Sequence, residues 1–366
     1  MKILLTGLAG FIGSHVAQRL AQRGDTIVGV DNINDYYDVR LKYARMRELL
    51  GVTTDEEEML FGKPYISNVF PNLSFIRLSI DDKKSLDAIC EKQHFDVVVN
   101  LAAQAGVRYS ITHPYTYMQS NLVGFLNILE ACRNYNVPKL VFASSSSVYG
   151  MNEKVPYNEE DKVDSPVSLY AASKKSNELM AHCYSKLYGF QTIGLRYFTV
   201  YGPWGRPDMS PMLFANAMRD DKPIKVFNNG DMIRDFTYID DIAEGTIRAI
   251  EHTLDTASCE HCVPYKIYNI GCSHPVKLMD FISEMEQAYG KEAKKEFLPM
   301  QAGDVYQTNA DCSALERDMN YHPHVTLQEG IGKFMEWYKS DKNPLYEKKQ
   351  VLLFNTSISR YTSIIS

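Results

Sequence analysis

Tyr170 and Lys174 stand four positions apart in the run Tyr-Ala-Ala-Ser-Lys. On a helix that spacing places both side chains on one face. A free phenol has a pKa of about 10 and is no base at neutral pH. Neighbouring positive charge favours phenolate, and lowering the pKa by about three pH units takes roughly 4 kcal/mol. A Tyr–Lys pair so arranged can take the proton of an alcohol while the alcohol carbon is oxidised. Ser144, Ser145, Ser146 and Ser147 supply a second group close in sequence. A serine hydroxyl there can hydrogen-bond a substrate oxygen as it changes between alcohol and ketone. Alone, a Tyr and a Lys one turn apart describe many solvated helix faces, so the pair gains meaning from what precedes it.

What precedes it is a dinucleotide signal. Gly7, Gly10 and Gly13 follow the apolar run that ends at Thr6 and open a helical stretch. The first glycine permits a tight turn, the second a close approach of backbone to a pyrophosphate, and the third close packing of helix on strand. The amides of Phe11 and Ile12 then lie at a helix N-terminus, where N–H groups and the helix dipole attract phosphate. Asp31 closes the second apolar run. A carboxylate there accepts hydrogen bonds from the ribose hydroxyls and repels a 2′-phosphate, which predicts NAD rather than NADP.

These groups need a scaffold. Lys2–Thr6, 26–30, 73–78, Val97–Asn100 and 140–143 read as buried strands, with helical periodicity over Phe11–Arg23, 82–93 and 116–136. That alternation predicts an α/β fold, a doubly wound parallel sheet of Rossmann type covered on both faces. Residues 55–72, acidic and then rich in Pro, Gly and Asn, read as a surface excursion. The sheet unit extends over 1–196, with a return segment near 232–250. A smaller C-terminal substrate-binding lobe occupies most of 197–340, where Pro203, Pro207, Pro211 and Pro223 mark loops and turns. A late helix is expected over 330–338, and the tail 341–366 shows no period.

Bulk properties narrow the classes. The net charge is −6 and no Lys/Arg run stands out, which speaks against a nucleic-acid partner. No segment is apolar for the length of a membrane span, and the N-terminal apolar run is too short for a signal-peptide core, so a cytoplasmic address is expected. Seven cysteines are scattered along the chain. Cys259 and Cys262 flank His261, with Cys272 and His274 nearby, but a zinc site needs about four ligands and no second pair of that spacing exists. The expectation is no metal, with 256–264 a polar surface insertion.

The longer motifs carry a resemblance. TGLAGFIGSH, DNINDYYD, LAAQAGVRYS, ASSSSVYG, SLYAASKKSNELMAH, RYFTVYGPWGRPDM, RDFTYIDDI and QAGDV together resemble the extended short-chain dehydrogenases/reductases, and most of all the UDP-glucuronate 4-epimerases, over residues 1 to about 340. The resemblance implies NAD held by Gly7, Gly10, Gly13 and Asp31 and lined by Leu101, Ala102 and Ala103. It implies that Lys174 also holds the nicotinamide ribose, that Tyr170 is the base, and that Ser145 binds the sugar O4. Arg234 and Asp304 match positions that hold the uridine nucleotide. It further implies a homodimer formed through the helices at 116–136 and Leu169–Tyr188. Two positions depart from the pattern: Ser79 stands where an Asp often holds adenine, and Leu8 is bulkier than usual.

Three reactions diverge from a common 4-keto sugar. Elimination needs an acid and a base, and the positions that carry them in dehydratases are Ser146 and Ser147 here. Decarboxylation needs a C6 carboxylate beside the ketone, and epimerisation needs only that the ketone turn over. Thr199 stands where galactose epimerases carry Asn, and Arg206 lies in a Gly-Pro-Trp-Gly-Arg-Pro run that those enzymes lack. Both are candidates to bind a C6 carboxylate, Arg206 by a two-pronged contact, with Ser146 beside them. UDP-glucuronate epimerisation is the reading that follows. Epimerisation of UDP-glucose or a UDP-N-acetylhexosamine, and decarboxylation of UDP-glucuronate, are the alternatives. A non-catalytic NAD sensor would be expected to have lost Ser145, Tyr170 or Lys174, and all three are present.

Overall fold

The computed structural model describes residues 1–51, 59–255, 262–300 and 305–346. Strand β1 (Lys2–Thr6) leads into helix α1 (Phe11–Arg23), then β2 (Thr26–Asp31), α2 (Val39–Leu50), an edge strand β3 (Pro64–Ile66), β4 (Leu73–Arg77), α3 (Lys83–Lys92) and β5 (Val97–Asn100). Short helices α4 (Tyr109–Thr112) and α5 (Pro114–Tyr117) run through a π-helical turn, Met118–Val123, into α6 (Gly124–Asn134). β6 (Lys139–Ser145), the long α7 (Leu169–Tyr188) and β7 (Gln191–Tyr197) complete the first half. The second half holds β8 (Thr199–Tyr201), α8 (Ser210–Arg219), β9 (Ile224–Val226), β10 (Ile233–Arg234), β11 (Phe236–Tyr238), α9 (Ile239–Glu251) and β12 (Tyr265–Ile270). It ends with β13 (Val276–Lys277), α10 (Leu278–Tyr289), β14 (Lys295–Phe297), α11 (Ser313–Met319) and α12 (Leu327–Lys339).

Eight strands form one sheet in the order β12-β7-β6-β5-β1-β2-β4-β3. All neighbours are parallel except β3, which pairs antiparallel with β4. The expected doubly wound sheet is therefore present, with the segment before Gly7 at its centre. Alternation of side chains explains why both faces are dry. Ile3 and Leu5 of β1 join one apolar cluster while Leu4, between them, joins the other. Strand order reverses between β1 and β5, where such sheets open a crevice at their carboxyl ends.

Several boundaries differ from the sequence reading. The stretch 55–72 is not wholly an excursion: within its described part, β3 extends the sheet edge, while 52–58 lie outside the described residues. The segment 116–136 is broken by the π-helical turn, within which the Asn121 side chain bonds to groups outside its own helix. Helix α2 had no counterpart in the sequence reading. The last sheet strand, β12, returns from 265–270, within the stretch expected to form the lobe, and α9 occupies much of 232–250. Cys259 and Asp304 lie outside the described residues, as does the tail from 347 onward. No helix among the described residues is long and apolar enough to cross a membrane.

Candidate active site

The glycine loop is shaped by steric need. Gly7 has a φ of +74°, and a Cβ on it would lie 2.8 Å from the Ala102 amide nitrogen. Only a residue without a side chain fits that turn so close to the loop after β5. A Cβ at Gly13 would overlap the Gly7 carbonyl oxygen, so α1 closes tightly on β1. Gly10 caps α1 and provides no side-chain acceptor, which leaves the first-turn amides of Phe11 and Ile12 to an outside partner. Leu8, bulkier than usual, fits because it lies over Gly29 of β2, where a Cβ would overlap it.

Asp31 stands at the end of β2. Its two carboxylate oxygens each accept one backbone amide, from Ala9 at 3.2 Å and Ile33 at 2.8 Å. A carboxylate has lone pairs to spare after two such bonds, enough for a pair of hydroxyls. Leu101, Ala102 and Ala103 are half-buried along the opposite wall, with the Ala102 amide tied to Thr6 Oγ1 at 3.1 Å. This cradle of glycines, bare helix amides and one acid fits a dinucleotide with free ribose hydroxyls. Ser79 accepts a long bond of 3.4 Å from Asn32 Nδ2, so the departure at the adenine end leaves two neutral side chains facing each other.

Helix α7 is fixed at both ends and along one face. Ser168 caps it by accepting from the Ala171 amide at 3.1 Å, and Gly189 ends it in the left-handed conformation. Glu178, fully buried, receives Arg196 of β7 through Nε at 2.8 Å and Nη2 at 2.9 Å, and Ser144 Oγ at 2.7 Å. Asn177 donates to the Asn121 carbonyl at 2.7 Å, and Asn121 donates to Ser173 at 3.0 Å. The face carrying Tyr170 and Lys174 is thereby set against β6.

Lys174 Nζ is buried and donates to the Ala143 carbonyl at 2.8 Å, and burial lowers its pKa to about 8. Burial raises the pKa of Tyr170, opposed by the Ser145 hydroxyl and then by the Arg206 charge. Ser145 Oγ itself accepts from the Ser147 amide at 3.1 Å and so keeps its own proton to donate. Ser146 is half-buried beside it. Tyr117 meets Tyr170 edge-on with ring centroids 6.1 Å apart.

Thr199 starts β8 and is half-buried, its amide bonded to the Asp235 carbonyl at 3.2 Å. The strand leads into the loop that bears Arg206. Arg206 is paired in two prongs with Asp208, through Nε at 3.0 Å and Nη2 at 2.6 Å. Burial opposes its charge, but Asp208 outweighs that and raises its pKa. Arg234, on β10, donates to the carbonyls of Val305 at 2.6 Å and Tyr306 at 2.9 Å, next to the segment that holds Asp304. Asp235 beside it is fully buried and gathers the amides of Cys272, Ser273 and Ala310 within 2.9–3.1 Å.

Sequence reasoning overlooked four of these groups. Tyr36 and Asp208 lie inside motifs that mark the resemblance but had no role assigned. Arg45 of α2 is buried and ties the Ala9 carbonyl at 2.9 Å to the Trp204 carbonyl at 2.6 Å, linking the glycine loop to the loop that bears Arg206. Asn121 had no signal beyond its residue type. Among the described residues no cluster of His, Cys, Asp and Glu could hold a metal.

A model of the NAD dependent epimerase/dehydratase family matches residues 3–271. Protein CapI of Staphylococcus aureus is 47% identical over 92% of this chain and 98% of its own length. A probable UDP-glucuronate 4-epimerase of Rhizobium meliloti is 43% identical over 92% of this chain and 97% of its own. Among solved structures, UDP-glucuronic acid 4-epimerase from Bacillus cereus in complex with UDP-glucuronic acid and NAD superposes with a TM-score of 0.79 at 35% identity, covering 93% of this chain and 99% of that one.

Proposed function

The chain belongs to the NAD-dependent epimerase/dehydratase family, and within it we propose that it interconverts UDP-glucuronate and UDP-galacturonate by inversion at C4. The observation that carries this reading is that the Arg206 charge acts on Tyr170, and that a chain of rings leads from Tyr36, over which the guanidinium lies, through Tyr109 and Tyr117 to that phenol. A sugar whose C4 hydroxyl meets Tyr170 would have its C6 carboxylate close by, where a guanidinium is the natural partner.

NAD, held by Gly7, Gly10, Gly13, the amides of Phe11 and Ile12, Asp31 and the Leu101–Ala102–Ala103 wall, supplies the acceptor for the C4 hydride and returns it. Tyr170 takes the O4 proton and later gives it back to O4 on the inverted sugar. Ser145 donates a hydrogen bond to O4 as it gains carbonyl character. Lys174, a cation in a dry site, faces the ribose of the cofactor. Thr199 and Arg206 hold the carboxylate, Ser146 contributes a hydroxyl to the sugar, and Arg234 and Asp304 hold the nucleotide. Residues 1–196, with the return at 232–250, serve NAD, and the lobe within 197–340 serves UDP. Ser146 and Ser147 offer neither acid nor base for elimination.

The protein acts as a cytoplasmic homodimer in this reading. Tyr115 (85% exposed), Leu179 (60%) and Leu187 (64%) on α5 and α7 form an apolar surface suited to a second copy. Incubation of the purified protein with UDP-glucuronate, with products identified by NMR, tests the reaction. UDP-galacturonate is the expected product. Turnover of UDP-glucose or UDP-N-acetylglucosamine instead would remove the carboxylate assignment and keep the Tyr170 chemistry.

A further inference from the structure

Arg206 is held by more than its own loop. Asp208 engages its side edge, Nε and Nη2. Tyr36, from the loop after β2, donates its hydroxyl to Asp208 Oδ2 at 2.9 Å, and the guanidinium lies over the Tyr36 ring at 5.8 Å. Tyr36 in turn packs edge-on against Tyr109, 4.8 Å between centroids. Room for its hydroxyl exists only because residue 106 is glycine: a Cβ there would overlap that oxygen. Three loops, after β2, β5 and β8, therefore converge on one guanidinium. With the side edge taken, the end edge, Nη1 and the second Nη2 hydrogen, remains to grip a second carboxylate.

We propose that Asp208, backed by Tyr36, is a positioning residue that fixes the plane of Arg206 and thereby decides whether the 4-keto intermediate is epimerised or loses CO₂. The proposal rests on the UDP-glucuronate reading above. The 4-keto sugar is a β-keto acid. Its decarboxylation breaks the C5–C6 bond, sends that electron pair into the C4 carbonyl as an enolate, and adds a proton at C5. The resulting 4-ketopentose either takes back the hydride stored on the cofactor, giving a UDP-pentose, or departs and leaves the cofactor reduced. The bond breaks fastest when it lies parallel to the carbonyl π orbital. A guanidinium locked at its side edge can hold the carboxylate away from that alignment, whereas one free to rotate lets it swing in.

The test uses the full-length, NAD-loaded protein with UDP-glucuronate and reads the ratio of UDP-pentose to UDP-galacturonate by NMR. Reduced cofactor is followed by its near-ultraviolet absorbance. Asp208→Ala should raise the pentose ratio on the order of tenfold or more. Asp208→Asn, which keeps one acceptor, should fall between it and the native protein. Tyr36→Phe, which removes one hydroxyl, should raise the ratio a few-fold with KM little changed, and it decides the matter if Asp208→Ala does not fold. An unchanged ratio in variants that fold and retain NAD overturns the proposal, even if total turnover falls, since a structural role alone would lower both products together. A native protein that makes no UDP-galacturonate removes the underlying function and this inference with it, and that outcome is visible before any variant is made.

Discussion

At the scale of single residues, Tyr170 feels the charge of Arg206, a side chain 36 positions further along the chain. Burial raises the phenol's pKa, and Ser145 and Arg206 pull it down. A cation beside a base favours the deprotonated form. Removing it therefore raises the pKa and moves the acidic limb of the rate profile to higher pH. Arg206→Gln should shift the acidic limb of kcat/KM upward, besides raising KM for UDP-glucuronate. A limb that stays in place would take Arg206 out of the phenol's electrostatics. Tyr170, Ser145 and Lys174 were legible in the sequence because each sits in a compact motif whose chemistry follows from residue type. Their partners were not. The acceptor for Lys174 is a backbone carbonyl of β6, which no residue type announces, and the Tyr36–Asp208 bond joins loops 172 positions apart.

At the scale of elements, α7 carries Tyr170 and Lys174, and the Glu178–Arg196 pair anchors it to β7. Breaking a buried pair by neutralising one partner costs about 3–5 kcal/mol, since the other charge stays buried and alone. Glu178→Gln should lower stability to chemical denaturation by that order, and a loss under ~1 kcal/mol, the range of exposed pairs, would show that the anchor is not the pair. Burial alone would raise the pKa of Glu178, but Arg196 outweighs it and holds the carboxyl below its ordinary value of 4.5. The pair's contribution is therefore full above that value and is lost as the pH falls through the lower folded one. Element order and type in the first half were readable because strands buried on both faces give short unbroken apolar runs. The interruption before α6 was not, because it is a single π-helical turn inside a longer helical stretch, too short to show as a separate period. β12 escaped for a different reason: it leaves the lobe to complete a sheet begun far earlier in the chain, and only tertiary pairing with β7 reveals it.

At the scale of the whole molecule, the sheet opens where strand order reverses between β1 and β5, and the loops bearing Gly7, Ala102, Ser145 and Arg206 gather at that end. The far side of α5 and α7 keeps an apolar surface that a homodimer would cover. Leu179→Glu together with Leu187→Glu should convert a dimeric mass to a monomeric one by light scattering at micromolar concentration. A native protein already monomeric under those conditions would reject the dimer. In the proposed reaction C4 is oxidised and re-reduced by one and the same hydride. The measurement that tests it most directly is turnover of UDP-glucuronate carrying deuterium at C4, followed by NMR. UDP-galacturonate with the deuterium retained at C4 is the expected product. Product with hydrogen at C4, or a UDP-pentose in place of UDP-galacturonate, would contradict it.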